Sequence, residues 1–179
     1  MRNLKDINVT ESIRSKELIF TEDFSDYFDK IILYLFFGCG FILPFFIYFN
    51  PHDSSDKNKF EYYLIFILSV FCGYTIYRKL REKKLTEIES KYDLKKNKEL
   101  VNEYCKKMGY KNNRNSYNII IYNSTSSFEF NTNYETSRIF LFDDKKIYVT
   151  MLKENRRLNV PVLFSQIILK CDIKKLVNS

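Results

Sequence analysis

The sequence predicts an α+β membrane protein, in which two transmembrane helices precede a small cytoplasmic β-rich domain. Two blocks without a charged residue, 31–49 and 62–77, predict the transmembrane helices. After residue 110 the apolar residues change from helical to alternating spacing, which predicts strands. A long basic helix over 78–109 is expected to join the two parts, and a C-terminal helix is expected to close the chain.

The first 30 residues form a charged segment with seven acidic and five basic side chains. In its second half, aromatic and aliphatic residues recur at helical spacing, which predicts an amphipathic helix that continues into the first transmembrane helix. These residues are Phe20, Phe24, Tyr27, Phe28 and Ile31. Their face is expected to lie in the membrane interface, to pack on a neighbouring subunit, or to cover the cytoplasmic mouth of a bundle.

The first transmembrane helix is predicted over 31–49. At ~1.5 Å per residue its 19 residues would extend about 28 Å, close to the roughly 30 Å of a bilayer core. Gly38 and Gly40 weaken the helical backbone locally, and Pro44 removes one backbone hydrogen bond. We therefore expect a kink, or a bend that serves gating, in this helix.

The second transmembrane helix is predicted over 62–77, with flanking residues completing its length. Ser69, Cys72 and Gly73 place small side chains on one face, which favours close helix packing or a pore lining. Neither predicted helix contains a charged residue, and this argues against a proton relay or a secondary transporter.

The distribution of basic residues predicts the orientation. The connecting loop 50–61 has two lysines, whereas the fifteen residues after the second helix have six lysines and arginines. Basic residues concentrate on the cytoplasmic side, so both termini are predicted to be cytoplasmic.

The basic helix predicted over 78–109 begins next to the membrane. Residues 78–98 hold nine basic and four acidic side chains. Five of the basic side chains are expected to contact anionic lipid head groups, namely Arg78, Lys79, Arg81, Lys83 and Lys84.

The β-rich domain is predicted over 110–179. Its strands are expected at 117–122, 127–130, 138–142 and 146–152, after a turn at 111–116, and its closing helix at about 165–177. The two strands that flank Asp143 and Asp144 are apolar on both faces. One face must contact the domain core, and the other needs a helix, a partner subunit or a ligand to cover it.

Several kinds of chemistry are excluded by what the sequence lacks. Only four glycines are present, and three lie in the predicted transmembrane helices, so the chain has no glycine-rich phosphate loop of the Walker or Rossmann type. The single histidine, His52, lies in the predicted outer loop and has no cysteine cluster to complete a metal site. We therefore expect no enzymatic activity, no metal and no cofactor.

Positive charge is the main chemical feature of the cytoplasmic part, because residues 78–179 contain 22 basic and 12 acidic side chains. Arginine beside aromatic rings can hold phosphates and stack on bases, so a nucleotide or oligonucleotide ligand is predicted. The alternative is a solvated basic surface near anionic lipid. The candidate ligand-binding residues are Arg138, Lys145, Lys146, Tyr148, Lys153, Arg156 and Arg157.

This order of parts resembles the two-transmembrane, β-strand-rich effectors of bacterial anti-phage defence that respond to nucleotide signals. The resemblance implies a homo-oligomer that disrupts the inner membrane, or conducts ions across it, under the control of a nucleotide. The long charged helix is a departure, since it leaves room for about five strands instead of a complete eight-stranded barrel. The alternative function is a membrane-tethered interaction module, such as an immunity or scaffold protein, that binds a protein partner through the doubly apolar hairpin.

Overall fold

A computed structural model describes residues 4–48, 59–125, 135–154 and 159–178. Within these ranges the chain forms one five-stranded antiparallel sheet and five α-helices, which confirms the α+β class. The helices are α1 (Val9–Ser15), α2 (Phe24–Tyr48), α3 (Lys59–Leu80), α4 (Leu94–Lys107) and α5 (Ser165–Asn178). The strands are β1 (Thr86–Glu89), β2 (Lys111–Ser116), β3 (Ile119–Thr125), β4 (Glu135–Asp143) and β5 (Lys146–Glu154).

The two longest helices, α2 and α3, are long and apolar enough to cross a membrane. At about 1.5 Å per residue they extend roughly 37 and 33 Å, which exceeds a bilayer core. The amphipathic helix that the sequence predicts does continue into the first apolar block, because α2 is unbroken from Phe24. Pro44 lies inside α2, which continues to Tyr48.

The prediction of one long basic helix over 78–109 is wrong. The chain leaves α3 at Leu80, turns, and forms β1 before α4 begins. Pairing with β5 stabilises the strand in place of a helix. It buries Ile88 in the core on one side of the sheet, and Leu85, just before β1, is buried on the other side. Gly109, whose φ is 72°, follows the end of α4 and adopts the left-handed conformation that glycine accepts without strain.

The strands are arranged in the order β1-β5-β4-β3-β2, and each neighbouring pair is antiparallel. Residues 111–116, predicted as a turn, instead form the edge strand β2. Its polar side chains are mostly exposed, so backbone pairing with β3 and not side-chain burial holds it in the sheet. The strand predicted at 127–130 and the loop 50–58 lie outside the described residues.

Both faces of the sheet are covered by the chain itself. Helices α4 and α5 cover the first face, where Val101, Cys105, Leu169 and Ile173 contact the strands. The second face is covered by residues 4–20, which we call the N-terminal cover. Its buried apolar residues are Leu4, Ile7, Leu18 and Phe20, and they pack with Ile119, Ile121, Ile139, Leu141, Tyr148 and Leu152 of the sheet.

Truncation of Leu18 should destabilise the domain strongly. Leu18 is 1% exposed, and Leu18→Ala removes buried methyl groups, which costs about 2–5 kcal/mol. Its neighbour Ile19 is 37% exposed, so Ile19→Ala should cost under about 1 kcal/mol. Thermal unfolding in detergent, followed by the near-ultraviolet circular dichroism of the tyrosines, measures both. Equal effects of the two substitutions would show that residues 4–20 do not cover the sheet.

Candidate functional site

The predicted ligand-binding residues do not converge on one site. Lys146 pairs with Asp143 at the hairpin turn, whereas Arg138 lies five residues away along β4, roughly 17 Å at 3.4 Å per residue. Arg138 is on the face covered by α4 and α5, while Lys146 and Tyr148 are on the face of the N-terminal cover. The sheet therefore separates the two halves of the predicted cluster.

Two of these residues, Arg138 and Lys146, already have partners within the chain. The Arg138 guanidinium lies 3.7 Å from the centre of the Tyr110 ring and donates a hydrogen bond of 2.7 Å to Ser124 Oγ. Lys146 forms an ion pair of 2.6 Å with Glu87.

The remaining candidates are placed as follows. Tyr148 is buried against the N-terminal cover, and Lys145 is exposed at the turn. Lys153 lies opposite Thr136, on the Arg138 face, and Arg156 and Arg157 are outside the described residues. Ligand binding by this set stays a prediction.

The structure instead concentrates buried charge where α2 and α3 meet the sheet. Lys79 and Glu82 form an ion pair of 2.5 Å, and their side chains are only 1% and 5% exposed. Lys79 Nζ also donates a hydrogen bond of 2.8 Å to the carbonyl of Asn159. We call this region the charged junction; it comprises Glu22, Asp29, Lys30, Lys79, Glu82, Lys83 and Asn159.

The charged junction connects four segments of the chain. Asn159 Nδ2 donates a hydrogen bond of 3.1 Å to Asp29 on α2, and both residues are buried. Thr150 Oγ1, on β5, donates to the carbonyl of Glu82 at 3.1 Å. Arg78, on α3, donates from Nε and Nη2 to the carbonyl of Val162, ahead of α5. A displacement of the sheet must therefore strain the start of α2 and the end of α3.

Glu22 carries the second ion cluster of the junction. Its carboxylate accepts from Lys30 at 2.7 Å and from Lys83 at 2.9 Å. Burial raises the pKa of Glu22, but the hydrogen bonds from Lys30 and Lys83 outweigh burial and leave this pKa below its usual value. Glu22 thus stabilises the fold above the usual glutamate pKa, and this contribution is lost as the pH falls through the lower folded pKa.

Three of the five basic residues predicted to contact lipid head groups are engaged elsewhere. Lys79 is buried in an ion pair with Glu82, which lies one turn away, so the prediction that Lys79 contacts lipid head groups is wrong. Arg78 bonds to the segment before α5, and Lys83 pairs with Glu22. Arg81 and Lys84 are exposed.

The segments that lead into α2 and out of α3 pair with each other. The amide of Leu18 donates to the carbonyl of Lys83 at 2.8 Å, and the amide of Leu85 donates to the carbonyl of Lys16 at 2.9 Å. Between them Glu17 and Lys84 are partners in an isolated antiparallel bridge. We call these paired segments, 16–18 and 83–85, the connectors.

A small polar pocket lies beside the connectors. Its volume is about 150 Å³, below the roughly 300–1,000 Å³ of pockets that hold drug-sized ligands. A nucleotide is therefore too large for it. We call it the junction pocket; it is lined by Glu17, Glu22, Lys30, Tyr34, Lys79, Leu80, Glu82, Lys83 and Lys84.

The small residues of the two long helices divide into packed and open positions. A Cβ atom on Gly40 would lie 2.8 Å from Cys72 Sγ, and one on Gly73 would lie 3.1 Å from the Phe41 ring. Ser69 Oγ donates a hydrogen bond of 2.9 Å to the carbonyl of Phe41. These contacts confirm close helix packing. Gly38, by contrast, has open space around it.

Sequence reasoning missed Asp29, Glu82 and Asn159 as members of the junction. Asn159 carries no local signal, because its partners are 80 and 130 residues distant in sequence. Glu82 did carry a local signal. It is the only acidic residue within 78–84, and it lies three positions after Lys79, the spacing of an ion pair on a helix.

No protein-family model matches the chain, and no curated protein matches it. Among the residues that the structure describes, no group of three or more metal-ligating side chains is placed to hold an ion.

Removal of one partner from the buried ion pair should be costly. Glu82→Gln leaves the Lys79 charge buried without its carboxylate, and we expect a loss of about 3–5 kcal/mol in the free energy of unfolding. Lys96 and Glu99 form an exposed ion pair, with side chains 52% and 65% exposed, so Glu99→Gln should cost under about 1 kcal/mol.

Equilibrium unfolding by urea of the purified protein in detergent measures both variants. The double variant Lys79→Met with Glu82→Leu should recover most of the loss, because no charge is then left unpaired. A loss for Glu82→Gln no larger than that for Glu99→Gln would contradict the burial of this pair.

Proposed function

We propose that this protein is a two-pass protein of a bacterial inner membrane, whose cytoplasmic sheet domain controls membrane permeability through the charged junction. One observation carries the proposal. Two long apolar helices are largely unburied by the rest of the chain, and the start of α2 and the end of α3 meet in one network of charged residues that also bonds to the sheet. The network couples the helices to the domain.

The surface of the long helices supports membrane insertion. Only 6% of the apolar stretch of α2 and 22% of that of α3 are buried within the protein. Large side chains such as Phe36, Phe46 and Phe66 are 70%, 73% and 64% exposed. A core helix of a soluble protein would be mostly buried, whereas a bilayer is an apolar solvent that accepts such a surface.

The charge distribution supports cytoplasmic termini. Basic residues are concentrated after α3, and the loop between the helices holds few of them. The sheet, the N-terminal cover and α5 then lie together on the cytoplasmic side.

Control of permeability requires several copies of the chain, because two helices cannot enclose a pore. The helical stretches 31–47 and 62–77 contain no charged residue. A pore built from them would be lined by uncharged side chains, and hydrophobic constrictions of this kind open and close by wetting and drying. A ligand or partner that favours one position of the sheet would shift the population of helix arrangements through the junction.

A role in nucleotide-signalled defence stays part of the proposal as a prediction from the order of parts. The alternative, a tethered interaction module, relied on an open apolar face of the hairpin. Both faces of the hairpin are covered by segments of the same chain, so a partner of such a module would have to bind another surface of the domain.

Labelling of the native cysteines tests the proposed orientation. Cys171, on α5, is exposed. Cys105 is buried, and burial raises its pKa to about 12, so it should not react. A membrane-impermeant maleimide should label the protein in inside-out membrane vesicles and not in intact spheroplasts. Cys171→Ser should lose the label, and labelling from the outside would contradict cytoplasmic termini.

Ion flux through liposomes that contain the full-length protein tests the control of permeability. We expect flux that at least one cyclic or linear nucleotide raises or suppresses. Gly40→Leu forces α3 away from α2, and overpacking of about 1–3 kcal/mol shifts a two-state equilibrium by about 5- to 150-fold. Gly38→Leu enters open space and is the matched control.

Two results would contradict this function. Liposomes that remain impermeable under every condition, despite confirmed incorporation of the protein, would favour the tethered module. Equal flux from both glycine variants and the wild type would show that the packing of α2 on α3 has no part in conduction.

A further inference from the structure

The connectors place two opposite charges side by side. Glu17 and Lys84 are partners in an antiparallel bridge, where paired residues project to the same side. Both side chains are exposed and line the junction pocket. Among the residues that the structure describes, neither forms an ion pair, with the other or with a third residue. The pocket therefore presents one available carboxylate and one available ammonium group.

The other charged side chains of the pocket are already engaged in ion pairs within the chain. Glu22 accepts from both Lys30 and Lys83, and Lys79 is paired with Glu82. A ligand that carried only negative charge would gain from Lys84 but would be repelled by Glu17. A ligand that carries both charges a few ångströms apart satisfies both side chains.

The pocket lies at the cytoplasmic end of both long helices, since Tyr34 on α2 and Leu80 at the end of α3 line it. If these helices span the membrane, this is the depth of the phospholipid head groups. This step rests on the proposed function, because it requires α2 and α3 to be in a bilayer.

We propose that the junction pocket binds the head group of a phospholipid that carries both a phosphate and a primary ammonium, as ethanolamine phospholipids do. Lys84 contacts the phosphate, and Glu17 accepts hydrogen bonds from the ammonium. A quaternary ammonium has no N–H to donate, so choline head groups bind less well. The bound head group bridges the two connectors and thereby holds the cytoplasmic ends of α2 and α3 together.

Native mass spectrometry of the full-length protein in detergent tests this site. Phosphatidylethanolamine, phosphatidylcholine and phosphatidylglycerol of identical acyl chains are added in turn, and the fraction of protein with bound lipid is measured. We expect Lys84→Ala and Glu17→Gln each to weaken ethanolamine lipid binding about three- to fivefold, as for a partly exposed charge contact. Lys111→Ala, at an exposed position of the edge strand β2, should leave binding unchanged.

The binding of phosphatidylglycerol separates the contribution of Lys84 from that of Glu17. Lys84→Ala should weaken the binding of this anionic lipid, whereas Glu17→Gln should leave it unchanged or strengthen it. Three results would overturn the proposal: equal binding of all three lipids, full binding by the Glu17→Gln, Lys84→Ala double variant, or displacement of the lipid by inorganic phosphate alone. The last would indicate a plain phosphate site without a role for the ammonium.

Flotation with liposomes distinguishes a failure of the proposed membrane insertion from a failure of the head-group site. Protein that does not float with liposomes of any composition would contradict the proposed function, on which this site rests. The head-group site alone would be overturned if the protein floats equally with ethanolamine and choline liposomes and shows no head-group preference in mass spectrometry.

Discussion

The arrangement of the whole chain depends on how the second face of the sheet is covered. Strands β3, β4 and β5 are apolar on both sides, and helices α4 and α5 can cover only one of them. The N-terminal cover closes the other side, which fixes the start of the chain against the sheet. Because α2 follows the cover almost directly and α3 returns to the same sheet through β1, the start of α2 and the end of α3 must lie at one place.

The buried charges at that place fix the position of the neighbouring segments more than they stabilise the fold. A buried ion pair gains little over packed apolar side chains, because both charges lose their hydration. The pair of Lys79 and Glu82 is local to the end of α3, but Lys79 also donates to the carbonyl of Asn159 and the carbonyl of Glu82 accepts from Thr150, so these bonds specify one arrangement of α3 against the Asn159 segment and the sheet. An apolar contact in the same position would tolerate sliding. A buried network of this kind suits an element with a few discrete arrangements, as coupling between a domain and its helices requires.

The elements that the sequence predicted correctly are those with strong apolar periodicity. Helix α5 and strands β3 to β5 each bury a stripe or face that can be read from spacing, and α2 and α3 can be read from long runs without a charged residue. Strands β1 and β2 have short or polar sequences, and they exist because an apolar neighbour offers unpaired backbone groups. The basic residues were predicted from their density along the chain. Their partners Glu22 and Glu87, and the strand parity that separates Arg138 from Lys146, depend on tertiary structure.

The covering of the sheet by residues 4–20 also determines the order of folding during synthesis. The cover leaves the ribosome before the sheet, and its contacts on β5 lie more than 120 residues later in the chain. At about 5–20 residues per second this delay is on the order of ten seconds. By then both long helices have left the ribosome, so the sheet must fold beside helices that already exist. The cover spends that interval with its apolar side chains unburied, because the strands that bury them have not yet been made.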